Sequence, residues 1–294
     1  MNDASRQTRQ PWQVWRDRRG RLSALRLVVL AVLIFSAAKA LVEASAIAHS
    51  ARPLNEMIHR AGFWALVLLG LALAVTPFRR ITRYGNLVDI RRMIGVAAFL
   101  YIAAHLALFF ADQSYSWLKF FTEITKRVYL IIGGIAWLGL AILAATSTDA
   151  MVRRLGGMRW RRLHQIVYAI ALLALIHYFQ QTKADVSVPT FVAGLFGWLM
   201  AYRIVGWWQG RAELSTLALL MMTIVVAALT LVGETVGIAI VFNAPLERIL
   251  PGIWDFEAGI RPGWQVLGAG LCVVVLDFVR LRASRRVEAQ RAVA

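Results

Sequence analysis

Three histidines lie within or at the ends of long apolar stretches of the sequence. His105 occurs within YIAAHLALFF, and His164 and His177 lie near the two ends of RRLHQIVYAIALLALIHYF, residues 161–179. An ionisable side chain inside a membrane span is costly, so by default it marks a functional site. Imidazoles on neighbouring transmembrane helices can clamp a haem iron between them. The pattern therefore predicts a haem-carrying electron conduit across a membrane.

Two of these histidines are predicted to lie at the same depth. His105 is thirteen residues beyond Arg92, and His177 is fifteen residues beyond Arg162. At the helical rise of 1.5 Å per residue, both lie roughly 20–23 Å from the inner membrane boundary. Two imidazoles at one depth on two helices are what a bis-histidine b-type haem requires. We therefore expect His105 and His177 to be its ligands.

His164 is expected near the inner boundary, roughly 20 Å from His177 by the same rise, which suits a second redox centre. On one ideal helix, however, the two histidines point about 140° apart, so a shared interior requires a local distortion or a frayed end. No other histidine lies at this inner level, since His59 and His49 fall on the outer side.

A second haem at the inner level would therefore need a non-histidine ligand, an open coordination position or a shifted helix. A flavin is the alternative cofactor there. Arginine side chains bind phosphate groups through paired hydrogen bonds. Four arginines flank the inner level and are candidates to bind the flavin phosphate: Arg91, Arg92, Arg161 and Arg162.

Composition predicts an all-α integral membrane protein. Hydrophobic residues make up 59% of the chain and the mean hydropathy is +0.61, whereas soluble domains are about 45–50% apolar. A transmembrane helix needs about 20 apolar residues. Eight stretches approach that length, the second of them ending at Pro77: Leu22–Val42, His59–Thr76, Met93–Ala111, Val128–Thr146, Leu163–Gln180, Val188–Trp208, Leu214–Phe242 and Trp264–Leu281.

The distribution of positive charge predicts the topology. A net charge of +17 in a soluble protein would suggest nucleic acid binding, but here 24 of the 33 lysines and arginines fall on one side of the predicted spans. The positive-inside rule explains this bias and places both termini in the cytoplasm of a bacterial cell, with the bundle in the inner membrane. The single cysteine, Cys272, excludes an intrachain disulfide, a cysteine-based zinc site and a cysteine-ligated cluster.

Simpler roles compete with these assignments. A histidine in a membrane helix can serve only as an interhelical hydrogen-bond donor, and the arginine runs can be topology signals alone. Glu234 is either an intramembrane acid on a proton path or a residue of the outer interface. The aromatic loop Asp112–Arg127 is our candidate docking surface for a periplasmic partner.

The same residues carry a family resemblance. The stretches HRAGFWALVLLGLALAVTPFRR, RRMIGVAAFLYIAAHLALFF and EITKRVYLIIGGIAWLGLAILAATSTDAMVRRLGGMRWRRLHQIVYAIALLALIHY resemble the MsrQ (YedZ) family of the ferric-reductase-like transmembrane superfamily. The resemblance implies a six-helix haem-binding domain over residues 22–212, preceded by a basic tail over 1–21. Residues 213–294, with two further helices and a basic tail, exceed the usual six-helix form.

The resemblance also implies a function. Members of the family pass electrons from a cytoplasmic flavin reductase, or from quinol, to a periplasmic molybdopterin enzyme, MsrP, which reduces methionine sulfoxide in envelope proteins. Their haem histidines match His105, His164 and His177, and flavin mononucleotide (FMN) is associated with the family. Related ferric reductases carry four haem histidines, but Arg91 and Arg92 stand where the inner one of the third span would be.

We therefore expect an electron-transfer subunit with haem b, one or two per chain, with FMN and quinone as further candidate cofactors. A stand-alone transmembrane reductase of ferric iron or a quinone is the first alternative. A non-redox transporter whose histidines only form hydrogen bonds is the second.

Overall fold

The chain folds into α-helices joined by short connections. The computed structural model describes residue 15 and residues 21–47, 50–182, 185–211, 213–257 and 259–293. The predicted tail 1–21 and His49 therefore lie almost wholly outside the described residues. The helices are α1 (Ala24–Ile47), α2 (Pro53–Thr82), α3 (Val88–Asp112), α4 (Trp117–Lys126), α5 (Val128–Ala145), α6 (Asp149–Leu155), α7 (Gly157–His164), α8 (Val167–Gln181), α9 (Ser187–Trp208), α10 (Thr216–Val241), α11 (Leu246–Ile249) and α12 (Pro262–Val293).

Within the described residues, seven helical segments are long and apolar enough to cross a membrane. They comprise α1, α2, α3 with the turn before it, α5, α7 together with α8, α9, and α10. Each falls on a predicted span, so the prediction of a multi-pass helical membrane protein is confirmed. The eighth predicted span, Trp264–Leu281, lies inside α12. Because α12 is not among the seven, the count of eight stays a prediction.

Two predicted helix boundaries are wrong. Pro77 does not end the second span but lies inside α2, which continues to Thr82. Proline is tolerated in membrane helices because neighbouring groups re-satisfy the backbone that it disrupts. The third span was predicted to begin at Met93, but α3 begins five residues earlier at Val88, so Arg91 and Arg92 lie inside the helix. The helix therefore extends beyond the apolar stretch, and its basic turn belongs to the same rigid element as His105.

The fifth predicted span is two helices rather than one. The first helix, α7, ends at His164 and the second, α8, begins at Val167, with a turn at residues 165–166 between them. The two histidines of this span therefore lie on separate helical segments. The angle of about 140° between the two side chains, expected for one ideal helix, therefore does not apply. The local distortion that the sequence required for the two histidines to face a shared interior is present.

The aromatic loop between the third and fourth spans contains a helix, α4. Ser116 caps its N-terminus by accepting a hydrogen bond from the Lys119 backbone N–H. Trp117 and Phe121 are exposed, whereas Phe120 is buried and packs 5.6 Å from the ring of Phe109. The candidate docking surface is thus an ordered amphipathic helix with exposed aromatic side chains.

The described chain divides into two compact units. The first comprises the residues up to 75 and residues 85–174, and the second comprises residues 76–84 and the chain from residue 175 onward. In the first unit, α3 packs against both α1 and α5. This division by packing differs from the predicted functional boundary at residues 212/213, which stays a prediction.

The second unit is built on close packing of α9, α10 and α12. Glycines at the helix contacts leave no room for a side chain: a Cβ on Gly270 would collide with Thr223, and one on Gly263 would collide with Leu231. Polar groups also join the helices. The indole N–H of Trp198 donates to Thr223 Oγ1 at 2.9 Å. Small residues and interhelical hydrogen bonds are the usual means by which membrane helices associate.

Candidate functional site

His105 is held in a defined orientation by the backbone of α2. Its Nδ1 lies 2.8 Å from the carbonyl oxygen of Ile58. A carbonyl only accepts, so Nδ1 carries the proton, and in the neutral imidazole the lone pair is then on Nε2. Metal-binding histidines commonly have their second nitrogen fixed in this way, which sets the ring orientation and raises the basicity of the ligand. The geometry fits an iron ligand.

Gly62 makes this orientation possible. A Cβ at Gly62 would lie 2.9 Å from His105 Nδ1 and 3.1 Å from its Cε1. Both distances are shorter than ordinary van der Waals contact, so any side chain at residue 62 would displace the imidazole. The absence of a side chain there allows α2 to approach the ring, and sequence reasoning did not identify this residue.

His177 lies at a comparable position along its own helix. It is four residues before the end of α8, while His105 is seven residues before the end of α3. At 1.5 Å per residue these separations are about 6 and 10 Å. Both side chains are half-buried. His105 belongs to the first unit and His177 to the second.

His164 lies in the last turn of α7, in contact with the tip of α5. Its Nδ1 is 3.1 Å from the carbonyl oxygen of Trp160, and its Nε2 is 3.4 Å from Ser147 Oγ. The imidazole stacks on the Trp160 indole with ring centroids 3.9 Å apart. Trp160 is itself fixed, because its Nε1–H donates to the carbonyl oxygen of Thr146 at 2.8 Å. Both nitrogens of His164 thus have protein partners.

The four candidate arginines differ in their surroundings. The guanidinium of Arg92 forms an ion pair with Asp149, the first residue of α6. Arg161 and Arg162 are exposed in the last turn of α7. Arg91 and Arg92 thus lie in the first turns of α3, while Arg161 and Arg162 present positive charge on the histidine's own helix.

Trp137 is a second residue that sequence reasoning missed. Its Nε1–H is buried on α5, and among the described residues it has no hydrogen-bond acceptor. A buried indole N–H usually finds a partner. An acceptor on a bound group would satisfy it. The signal in the sequence is a tryptophan at the middle of a span, away from the interfaces where tryptophan is enriched.

His59 and Glu234 are two further candidates from the sequence. His59 is exposed, and its Nδ1 lies 2.7 Å from the carbonyl oxygen of Asn55 on the preceding turn, which fits a surface residue. Glu234 is only 6% exposed and pairs with Arg261 Nη1 at 3.5 Å. Glu234 is therefore a buried acid inside the second unit, and its two predicted roles, on a proton path or at the outer interface, both stay predictions. Ser187, through its hydroxyl and its backbone N–H, holds the pKa of nearby Asp185 below its usual value.

Comparison with known proteins first defines the class of protein to which the chain belongs. The family described as "Ferric reductase like transmembrane component" matches residues 61–175. This range includes His105 and His164 and ends two residues before His177. The match places most of α2, the helices α3 to α7 and the first part of α8 in a ferric-reductase-like membrane component.

The curated relatives then define the family. The "Protein-methionine-sulfoxide reductase heme-binding subunit MsrQ" of Xanthomonas campestris pv. campestris (strain 8004) is 43% identical over 155 residues, which are 52% of this chain and 71% of the relative. The subunit of the same name from Rhodospirillum rubrum is 42% identical over 156 residues, 53% of this chain and 75% of the relative. The chain belongs to the MsrQ family. No solved structure matches it.

Proposed function

We propose that this protein is a b-type haem-binding membrane subunit that carries electrons across the bacterial inner membrane to a methionine sulfoxide reductase. The observation that carries the proposal is the similarity to subunits described as haem-binding, over 71–75% of their length. The orientation of His105 by Ile58 supports it independently, because a histidine whose second nitrogen is fixed in this way is oriented to bind a metal through Nε2.

We assign His105 and His177 as the two haem ligands. Bound haem supplies one-electron chemistry, its iron alternating between the ferric and ferrous states. The protein contributes the two imidazoles, the helix spacing and an apolar surrounding. The Ile58 carbonyl holds the His105 ring, Gly62 leaves room for it, and Trp137 offers a buried donor to an acceptor on the bound group.

We assign His164 and the neighbouring arginines to a second, inner cofactor site. Both nitrogens of His164 have protein partners, so iron ligation would require Nε2 to leave Ser147. A flavin needs no change at His164, because its phosphate would be bound by guanidinium groups. We therefore favour FMN over a second haem, with its phosphate bound by Arg91, Arg92, Arg161 and Arg162, of which Arg92 would exchange its ion pair with Asp149 for the phosphate.

The electron donor is proposed to be a cytoplasmic flavin reductase or a quinol, and the acceptor a periplasmic molybdopterin enzyme of the MsrP type. The amphipathic helix α4 is the proposed docking surface for the acceptor, because Trp117 and Phe121 are exposed on it. Aromatic side chains are enriched at protein interfaces. Both termini are proposed to be cytoplasmic.

Proteoliposomes test the whole pathway. The full chain would be reconstituted with a flavin reductase and NADH inside and with the molybdopterin reductase and methionine sulfoxide outside. We expect NADH oxidation coupled to sulfoxide reduction, lost without this chain or with His105→Ala. The control is His59→Ala, which changes a histidine exposed on α2. Sulfoxide reduction that is unaffected by removing the chain would refute the proposal.

A stand-alone ferric reductase is the second candidate, favoured by the similarity of residues 61–175 to ferric reductase components. The same vesicles distinguish the two. Ferric citrate reduction at full rate without the molybdopterin reductase, and no transfer to that reductase when it is present, would favour this candidate over the proposed subunit.

A further inference from the structure

A cavity of about 480 Å³ lies within the second unit, outside the residues matched by the ferric reductase family. Helices α8, α9 and α10 line it. Cavities that bind small ligands typically have volumes of about 300–1,000 Å³ and are mostly apolar with a few polar groups. The residues that decide its chemistry are Phe179, Thr190, Gly197, Thr230, Gly233 and Glu234.

The cavity opens toward the lipid. Two of its lining side chains, Ile204 and Leu229, are 63% and 65% exposed. Both lie on membrane-spanning helices, where the surrounding solvent is hydrocarbon. A ligand that enters by this route must therefore be soluble in lipid and must present an apolar tail to the mouth of the cavity.

The polar groups of the cavity select a neutral head that donates hydrogen bonds. Glu234 uses one oxygen to pair with Arg261, so the pair is neutral overall and disfavours a charged head. Within the described part of the chain, its other oxygen, Oε2, accepts no hydrogen bond. The Thr230 hydroxyl donates a hydrogen bond to the Val226 carbonyl oxygen at 2.8 Å. Toward a ligand this hydroxyl can therefore only accept a hydrogen bond.

We propose that this cavity binds a lipid-soluble hydroquinone, with Glu234 and Thr230 accepting hydrogen bonds from its hydroxyl groups. The oxidised quinone has only acceptors on its head and would be bound more weakly. Phe179 of the cavity lining and the proposed haem ligand His177 both lie on α8. The inference deepens the proposed function, on which it rests, by giving the quinol donor a site.

Filling the cavity tests the site directly. A Cβ added at Gly233 would meet nothing within 4 Å, and the same holds for Gly268 on α12, which does not line the cavity. Gly233→Leu therefore has room for its first side-chain carbon and adds bulk to the lining of the cavity, and Gly268→Leu is the matched control. Binding is measured on the full chain in nanodiscs, without oxygen, as the rise in unfolding temperature against decylubiquinol or decylubiquinone concentration.

We expect decylubiquinol to bind about ten-fold more tightly than decylubiquinone, the effect of one hydrogen bond to a charged group. Glu234→Gln should reduce that preference to about two-fold, because the amide also donates. Gly233→Leu should weaken the binding of both probes, and Gly268→Leu should leave it unchanged. An azido-quinone should label peptides of α9 and α10 in the wild type and in Gly268→Leu, and much less in Gly233→Leu.

Wild-type affinity in Gly233→Leu, or equal affinity for the two probes in the wild type, would overturn the inference, as would the absence of binding. The measurement is made on haem-free and haem-loaded protein. Absence of quinol binding therefore refutes this site alone, while absence of haem refutes the proposed function alone.

Discussion

At the scale of single residues, the account depends on how an imidazole is held in a membrane. His105 is oriented by a carbonyl from α2, and Gly62 permits that approach. The histidine could be predicted from the sequence, because an ionisable side chain within an apolar stretch costs free energy in the membrane and is recognisable in the sequence. It could not predict Gly62 or Trp137, since their roles depend on which faces of neighbouring helices meet.

Gly62→Ala should displace the His105 imidazole and break its hydrogen bond to Ile58. We expect haem content per chain to fall several-fold, or the midpoint potential to shift, because the ligand loses its second partner. Gly70→Ala is the control on the same helix, since a Cβ there meets nothing within 4 Å. A pyridine haemochrome count and a redox titration measure both. Identical values for the two variants would show that Gly62 does not position the ligand.

At the scale of helices, most spans were predictable and their interruptions were not. Hydropathy and the thickness of the bilayer set the length of a span, which is why α5, α9 and α10 agree with prediction within two residues. The turn after His164 and the continuation of α2 through Pro77 depend on tertiary contacts. The helix α4 was missed because its ten residues are too short for a span.

The packing of α10 against α12 gives a prediction at this scale. In Gly270→Ala the new methyl group would collide with Thr223, and we expect a loss of about 1–3 kcal/mol of unfolding free energy from overpacking. Gly268→Ala on the same helix has open space and should be neutral or stabilising by up to about 1 kcal/mol. Equilibrium unfolding in mixed micelles provides the comparison. Equal stabilities would mean that the close contact is absent.

At the scale of the whole molecule, the predicted topology assigns the two proposed cofactor sites to opposite sides of the membrane. The bias of positive charge predicts that α4 faces the periplasm and α6 the cytoplasm. The second unit shows that the C-terminal helices are packed parts of the protein, because α9 contacts both α10 and α12. The sequence did not predict this arrangement, since the composition of an apolar span does not indicate which other helices it packs against.

Cysteine labelling tests the orientation. In a Cys272→Ser background, Lys119→Cys on α4 and Ala150→Cys on α6 each place a thiol at an exposed residue. A membrane-impermeant maleimide should label Lys119→Cys in intact spheroplasts and Ala150→Cys only after permeabilisation. The opposite pattern would invert the proposed direction of electron flow.

The central claim is that His105 and His177 hold a haem. Its most direct test is the reduced-minus-oxidised visible spectrum of the purified full chain, made with ample haem available, with a haemochrome count per chain. We predict a b-type spectrum that is lost in His105→Ala and in His177→Ala and is retained in His59→Ala. If the inner site holds a flavin, the spectrum is also retained in His164→Ala. Folded wild-type protein that binds no haem, or a spectrum unchanged in both ligand variants, would contradict the claim.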